Sequence, residues 1–235
     1  MSTERPASTE PSETPEPEVL VERDDGIRII RLHHHSQSLA YRAAFAGAYQ
    51  TVFSDPPYNE RFYPSEAQAV LRQHLETPAH IVLLAVRGIA QVVGFGLAVP
   101  AHTRGGVSRE LQGLLPVRRS IYMSELGVLR RYRKSGLGRQ LVQLRLSLLD
   151  RTRYDHVVLR TSASRDGAYE MFMSLGFEDM GVYMEVASRR VDGSVSTDRR
   201  LFLTRTLDAG MDDAASDASS FDEDTSDSAT WVPED

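Results

Sequence analysis

The chain has no cysteine among its 235 residues. This excludes disulfide scaffolds, thiolate metal sites and cysteine nucleophiles, and it suits a reducing compartment. No apolar run approaches the ~20 residues needed to cross a bilayer, and the N-terminus has neither the basic nor the apolar segment of a secretion signal. A cytoplasmic protein with no membrane partner is the expectation. Bases are missing from residues 208–235, which hold ten acids, and residues 1–18 set five acids against Arg5 alone. The first stretch is Ser, Thr, Glu and Pro, the second Asp, Ser and Ala. Neither buries enough apolar surface to offset the entropy of ordering. They read as disordered tails, 1–18 and 208–235, around one domain at 19–207. That domain carries 26 basic against 18 acidic residues, a net of +8 hidden inside the overall −6. A basic domain of this kind calls for an anionic partner. Nucleic acid is not favoured, since its readers interleave basic and aromatic residues on one surface and the acidic tails would compete.

What is present between 19 and 207 is an alternation of strand and helix patterns. Gly26–Leu32 alternates like a half-buried strand. Residues 37–53 carry Leu39, Ala43, Ala46, Tyr49 and Phe53 at helical spacing, ended by Asp55-Pro56-Pro57. Ser65 with Gln68 forms an N-cap signal for a second helix that stops near Pro78. Two apolar strands, His80–Val86 and Val92–Val99, meet at a turn around Gly88, and their lack of alternation predicts cover on both faces. Residues 101–118 read as a polar insertion and Ser120–Leu129 as the next strand. The strongest helix runs from Gly136 to about Arg151, with Leu137, Leu141, Leu144 and Leu148 on one stripe. A strand at His156–Arg160, a helix at Asp166–Leu175 closed by Gly176, and late strands near Val182–Val186 and Arg200–Thr206 complete the order β-α-α-β-β-β-α-β-α-β-β. This is a mixed α/β single domain.

The chemistry concentrates where strand 120–129 passes into Arg133-Lys134-Ser135-Gly136-Leu137-Gly138 and then into the strong helix. Glycines there admit a close ligand, and the first-turn N–H groups with the helix dipole make an anion site. Arg130, Arg131, Arg133 and Lys134 add positive charge. The spacing is neither a Walker A loop nor a dinucleotide fingerprint. A plain strand–helix turn with solvated arginines also accounts for the segment taken alone. His33-His34-His35 is not a metal site, because consecutive residues of an extended chain point to opposite faces; no metal is expected anywhere. Arg189-Arg190 and Arg199-Arg200 read as a solvated face.

Arg133-Lys134-Ser135-Gly136-Leu137-Gly138 resembles the R-x-x-G-x-G pyrophosphate loop of the GNAT superfamily of N-acyltransferases. Glu125-Leu126-Gly127-Val128 is similar to that family's fourth strand, and Ala168, Phe172, Gly176 and Phe177 fall where its second motif ends a helix in a Leu-Gly-Phe turn. Pro56-Pro57-Tyr58-Asn59-Glu60 resembles a segment of some bacterial members. The likeness spans about 180 residues. It implies a GNAT-like fold and an acyl-CoA-dependent N-acetyltransferase that moves an acetyl group from acetyl-CoA to a primary amine by direct attack. It further implies that Val128, Leu129, Arg130, Arg133, Lys134, Ser135, Gly136, Leu137, Gly138, Arg139 and Phe172 contact the donor. Free backbone groups at Val128 and Arg130 would meet its pantetheine arm, and an N–H near Val128 would polarise the thioester carbonyl.

The acceptor amine must be neutral to attack, yet an alkyl ammonium has a pKa near ~10, so a base is required. Glu125, on the strand lining the thioester, is the candidate; a structural carboxylate at the cleft edge is the other reading. Tyr58 and Glu60 are expected to bind the acceptor. Many family members keep a tyrosine acid where this chain has Phe172, which leaves Tyr169 and Tyr183 as replacement phenols or as packing residues. The acceptor, a small-molecule amine or a peptide amine, would be shaped by Asp55–Pro64, 101–118 and Val191–Asp198. A homodimer through the late edge strand is open. The competing class is an acyl-CoA-binding module that has lost catalysis and serves regulation or interaction.

Overall fold

The computed structural model describes residues 15–165 and 168–207, so most of both expected tails, and the Asp166 start foreseen for one helix, lie outside the described residues. The strands are β1 (Glu18–Glu22), β2 (Ile27–Leu32), β3 (Ile81–Arg87), β4 (Gln91–Pro100), β5 (Ser120–Val128), β6 (His156–Ser162), β7 (Glu178–Arg189) and β8 (Val195–Thr206). They form one sheet in the order β1-β2-β3-β4-β5-β6-β8-β7, and only β5 and β6 run parallel. The helices are α1 (His35–Ser38), α2 (Arg42–Ser54), α3 (Pro64–Glu76), α4 (Gly105–Leu111), α5 (Leu137–Ser147) and α6 (Ala168–Ser174).

Strand alternation sends side chains to two cores. From β3, Ile81, Leu83 and Ala85 join Leu141, Phe172 and Phe177 beneath α5 and α6, while Val82, Leu84 and Val86 join Phe45, Tyr49 and Leu71 beneath α2 and α3. Both faces of β3 and β4 are covered, which is why their sequences do not alternate. A third cluster packs Val107 and Leu111 of α4 on Tyr122, Val158 and Phe202.

Several expectations are corrected. Glu18, assigned to the tail, opens β1, which pairs antiparallel with β2. The 101–118 insertion contains α4, which buries two apolar residues one turn apart. The helix expected over 37–53 splits into α1 and α2. Helix α3 begins at Pro64 rather than after Ser65: Pro is pre-set for the first helical position, and the Glu66 carboxylate accepts the Tyr63 N–H at 2.7 Å. The buried face of α5 is Leu137, Leu141, Val142, Arg145 and Leu146, with Leu144 and Leu148 only partly covered.

The irregularity that matters for function is in β5. Leu97 pairs with Glu125 and Val99 with Tyr122, so two steps along β4 face three along β5. This β-bulge reverses the alternation, and Glu125 projects to the α2 face as Tyr122 does, instead of to the α5 face. Arg145 secures it. Its guanidinium is buried and donates to Leu97 O at 3.0 Å, Glu125 O at 3.1 Å and Leu141 O at 3.1 Å. Burial pulls its pKa down to about 9, which leaves it charged at neutral pH. It crosses β4 where Gly96 lies; a Cβ there would come within 2.9 Å of Arg145 Nε. Arg145→Met removes three donors from buried carbonyls, so a loss of about 2–4 kcal/mol is expected in denaturant unfolding. A change below about 0.5 kcal/mol would show that the bulge does not need the clasp.

Candidate active site

Strands β5 and β6 stay paired only from Ser120 to Met123, while β6 continues alongside β8 to Ser162. The sheet therefore opens at Ser124. A cavity of about 230 Å³ fills the opening, lined from the α5–α6 face by Met123, Leu126, Leu159 and Phe172 and from the α2 face by Tyr49, Phe53, Tyr122, Glu125 and Arg160. It runs through the sheet and joins the two faces.

Glu125 is half-buried there, and the Tyr49 hydroxyl donates to its Oε2 at 3.3 Å. Burial raises the carboxyl from its ordinary 4.5 to about 7, with the positive charge of Arg160 opposing the rise. Burial also lifts the Tyr49 phenol well above its usual range, so it remains a proton donor. Arg160 donates from Nε to the Tyr122 hydroxyl at 2.7 Å and from Nη1 to the Met184 thioether at 3.1 Å. Ser124, on the bulge, bonds His74 Nε2 at 2.7 Å. His74 Nδ1 lies 2.7 Å from Val70 O, the geometry of a donated proton, and burial lowers the ring's pKa to about 4, keeping it neutral.

The far wall is a seam between the α2–α3 loop and the β7–β8 hairpin. Arg61 N–H donates to Arg189 O at 2.7 Å and Val191 N–H to Asn59 O at 3.0 Å. Inside it the Glu60 carboxylate pairs with Arg200, both 8 % exposed, and Arg200 lies 4.6 Å over the Tyr58 ring. Tyr58, Glu60, Phe62, Val186 and Arg200 all line the cavity.

At the other end, the chain leaves β5 through a turn at Arg130–Tyr132 into α5. Gly136 has φ 77° at the helix N-cap, a left-handed conformation that glycine adopts without strain. The first helical bond is Gln140 N–H to Gly136 O, so the amides of Leu137, Gly138 and Arg139 have no helical acceptor. Among the described residues Arg130, Arg131 and Lys134 form no ion pair. The charge and donors fit a phosphate-bearing ligand.

The structure brings Glu125, Phe172, Tyr58 and Glu60 to one cavity. Other expected residues lie elsewhere. Tyr169 is buried in the α6 core with Arg165 5.4 Å from its ring, and Tyr183 is 45 % exposed on β7 under Arg199. Neither lines the cavity. The Val128 carbonyl, expected free, accepts Arg133 Nε at 2.9 Å, and Arg133 Nη2 pairs with Asp55 at 3.0 Å, so this guanidinium is engaged within the protein. Arg139 donates to Ser174 Oγ at 2.6 Å. Glu60 is held by Arg200 rather than left as a free anion. Residues that the sequence reading missed are Tyr49, Tyr122, Arg145 and Arg160. Arg145 had one available signal, a charge on the buried stripe of a strong helix.

An eight-stranded mixed sheet that parts in its middle beside a basic strand–helix loop defines a class of acyltransferases, and the comparisons agree. The sequence model described as Acetyltransferase (GNAT) family matches residues 42–177, more than half of the chain. The chain belongs to this family, whose acyl donor is acetyl-CoA. Comparison with curated proteins finds no match. Among solved structures, the ribosomal-protein-S18-alanine N-acetyltransferase from Escherichia coli is similar at 13% identity and TM-score 0.53, covering 80% of this chain and 97% of its own. An aminoglycoside 6'-acetyltransferase type Ii is similar at 14% identity and TM-score 0.52, over 78% and 99%. The NatC complex bound to Gag peptide and CoA is similar at 16% identity and TM-score 0.50, over 77% and 99%. These likenesses concern the fold.

A carboxyl whose folded pKa lies above its unfolded value binds its proton more tightly in the native state. Native stability then falls as pH rises from about 4.5 to about 7, and the deficit persists above 7. Glu125→Gln removes it. The variant is expected to resist denaturant better than wild type at pH 8.5, with the difference closing by pH 4. A pH-independent difference would deny the buried carboxyl this role.

Proposed function

We propose that the protein moves an acetyl group from acetyl-CoA to a primary amine by direct attack, with Glu125 as the base. The observation that carries this reading is the Glu125 carboxyl, placed where the sheet parts and poised at about 7. A base with that pKa is half ionised at neutral pH and still strong enough to take a proton from an ammonium or through one water. The donor, when bound, supplies an activated thioester. Its phosphates would be held by the amides of Leu137, Gly138 and Arg139 and by Arg130, Arg131 and Lys134, and its acyl end would enter between β5 and β6 beside Phe172.

Glu125 then accepts the amine's proton from the α2 face. Tyr49, hydrogen-bonded to Oε2, fixes the carboxylate's rotation, and Arg145 holds the Glu125 backbone so that this rotation is aimed into the cavity. Phe172 gives no proton. The leaving thiol, with a free pKa near ~8.5, needs little help, and Tyr49, Tyr58 and Tyr122 are the phenols in the cavity.

Two measurements test the reading. With acetyl-CoA and a panel of amines, wild type is expected to release thiol. Glu125→Gln should lower kcat by ~10²-fold or more with acetyl-CoA binding retained. The wild-type kcat/KM should fall as pH drops through about 7, because protonated Glu125 cannot accept a proton. A variant within twofold of wild type would return Glu125 to a structural role. Acetyl-CoA binding without turnover on any amine would favour the binding-module alternative.

The loop is tested separately. Gly136→Asp adds both a strained φ and a negative charge at the anion site. Calorimetry is expected to show acetyl-CoA affinity reduced at least ~100-fold, about 2.7 kcal/mol, with the circular dichroism spectrum unchanged. Unaltered affinity would move the donor elsewhere.

A further inference from the structure

The cavity is lined by three guanidinium groups, of which one is neutralised by carboxylates and one, only 1 % exposed, has its Nε and Nη1 bonded to backbone carbonyls. Arg200 is paired with Glu60 and Asp198, and Arg145 is spent on three backbone carbonyls. Arg160 differs. Its partners among the described residues are the Tyr122 hydroxyl and the Met184 thioether, both uncharged, and its Nη2 makes no hydrogen bond there. Glu125 feels its field but forms no ion pair with it. A half-buried arginine in a cavity ordinarily has an anion, and its planar fork fits a carboxylate best. Much of the remaining lining is apolar, aromatic from Tyr49, Phe53 and Phe62 and aliphatic from Leu126, Leu159 and Val186, and the volume of about 230 Å³ lies below the usual range for drug-sized ligands. The hydrogen-bonded seam closes the far wall, so an extended peptide crossing there would have to break it.

We propose that the acceptor is a small zwitterionic amine, an amino acid with an apolar side chain, whose carboxylate is bound by Arg160 while its amine faces Glu125. This deepens the N-acetyltransferase reading and rests on it for the direction of the chemistry. The amine loses its proton to Glu125 and forms the new C–N bond, and the acyl carbon–sulfur bond breaks with the electron pair leaving on sulfur. The carboxylate takes no part beyond holding the molecule. A peptide N-terminus lacks that carboxylate beside its amine, and so does a simple alkylamine.

The test compares L-phenylalanine, L-phenylalaninamide, phenethylamine and a tripeptide beginning with phenylalanine, and repeats the series from leucine. Binding is measured by calorimetry on the full chain saturated with coenzyme A, and turnover by thiol release with acetyl-CoA, both at pH 9, well above the Glu125 value of about 7, and acid and carboxamide are compared within each protein so that any change in Glu125 ionisation cancels. The free amino acid is expected to bind best, with kcat/KM at least ~10-fold above the carboxamide and the tripeptide. That order runs against intrinsic reactivity, because the amide and peptide amines are the weaker bases and are more fully deprotonated. In Arg160→Gln the ratio of acid to carboxamide should fall to within about twofold. Equal or better use of the carboxamide, the amine or the peptide, failure of the amino acids to bind, or a ratio that survives in R160Q would overturn the proposal. Should R160Q not fold, the wild-type series decides alone. Carboxylate-selective binding without turnover would sink the transferase reading and leave this site standing; turnover without carboxylate selectivity would do the reverse.

Discussion

The Arg145 guanidinium sits where β5 carries one residue more than β4, and its bonds to Leu97 O and Glu125 O replace ladder bonds that the extra residue removes. A β-bulge in the middle of a sheet leaves polar backbone groups in an apolar layer, each costing about 1–3 kcal/mol if unsatisfied. The charged donor offsets that cost, yet it is itself expensive to bury, as its lowered pKa records. The two costs are tolerable only together. The bulge gives the arginine its acceptors, and the arginine gives the bulge its donors. Gly96 completes the arrangement by leaving room for Nε across β4. Glu125 faces the α2 side because of this reciprocal dependence.

Once Glu125 faces that side, its environment is set by opposing effects. Burial favours the neutral acid, and Arg160 favours the carboxylate; burial wins, but not by so much that the group stays protonated at neutral pH. The parting of β5 and β6 lets one cavity reach both faces, so the acid on the α2 side shares that space with Leu126 and Phe172 on the α5 side. The charges are sorted accordingly. Arg130, Arg131 and Lys134, in no ion pair among the described residues, cluster at the N-terminus of α5, whereas the cavity mixes carboxylates, guanidiniums and aromatic rings. One end suits phosphate, the other a small molecule that carries both signs.

Much of this arrangement is legible in the amino-acid sequence. The strand–loop–helix from Ser120 to Arg145 was legible because glycine, positive charge and apolar periodicity agree there, and the family resemblance rests on the same stretch. The role of Pro56-Pro57 in ending α2 was legible from proline's missing N–H. β1 was hidden by its acids and the Pro-rich stretch before it, although sheet pairing with β2 overrides its composition. α4 was hidden because only Val107 and Leu111 turn inward from a Gly-rich start. The bulge left no mark in the sequence, since alternation is the only cue to facing and the bulge is a break in alternation. Tyr49 looked like core because it is core; its hydroxyl alone reaches Glu125. Tyr169 shares the inner face of α6 with Phe172 yet is packed into the core short of the cavity, and Tyr183 stands exposed on β7, so nearness along the chain to Phe172 does not bring either phenol to the site.

The seam between the α2–α3 loop and the β7–β8 hairpin rests on Glu60 and Arg200, each almost wholly buried. A buried ion pair gains little net stability over well-packed apolar residues, because two desolvations oppose one attraction, whereas losing one partner strands a charge. Its value is therefore geometric. It admits one docking of the loop on the hairpin, which Arg190 reinforces at Tyr58 O and Arg189 at Glu66. The loop joins two helices, and the hairpin's far end, from Ala187 to Asp198, runs beyond the pairing of β8 with β6, so neither is held there by the central core. Tying them to each other with directional, charged contacts fixes the distance between the far wall and Glu125. Apolar contacts, being non-directional, would leave that distance free to slide, and a cavity of this size can discriminate among acceptors only if it does not.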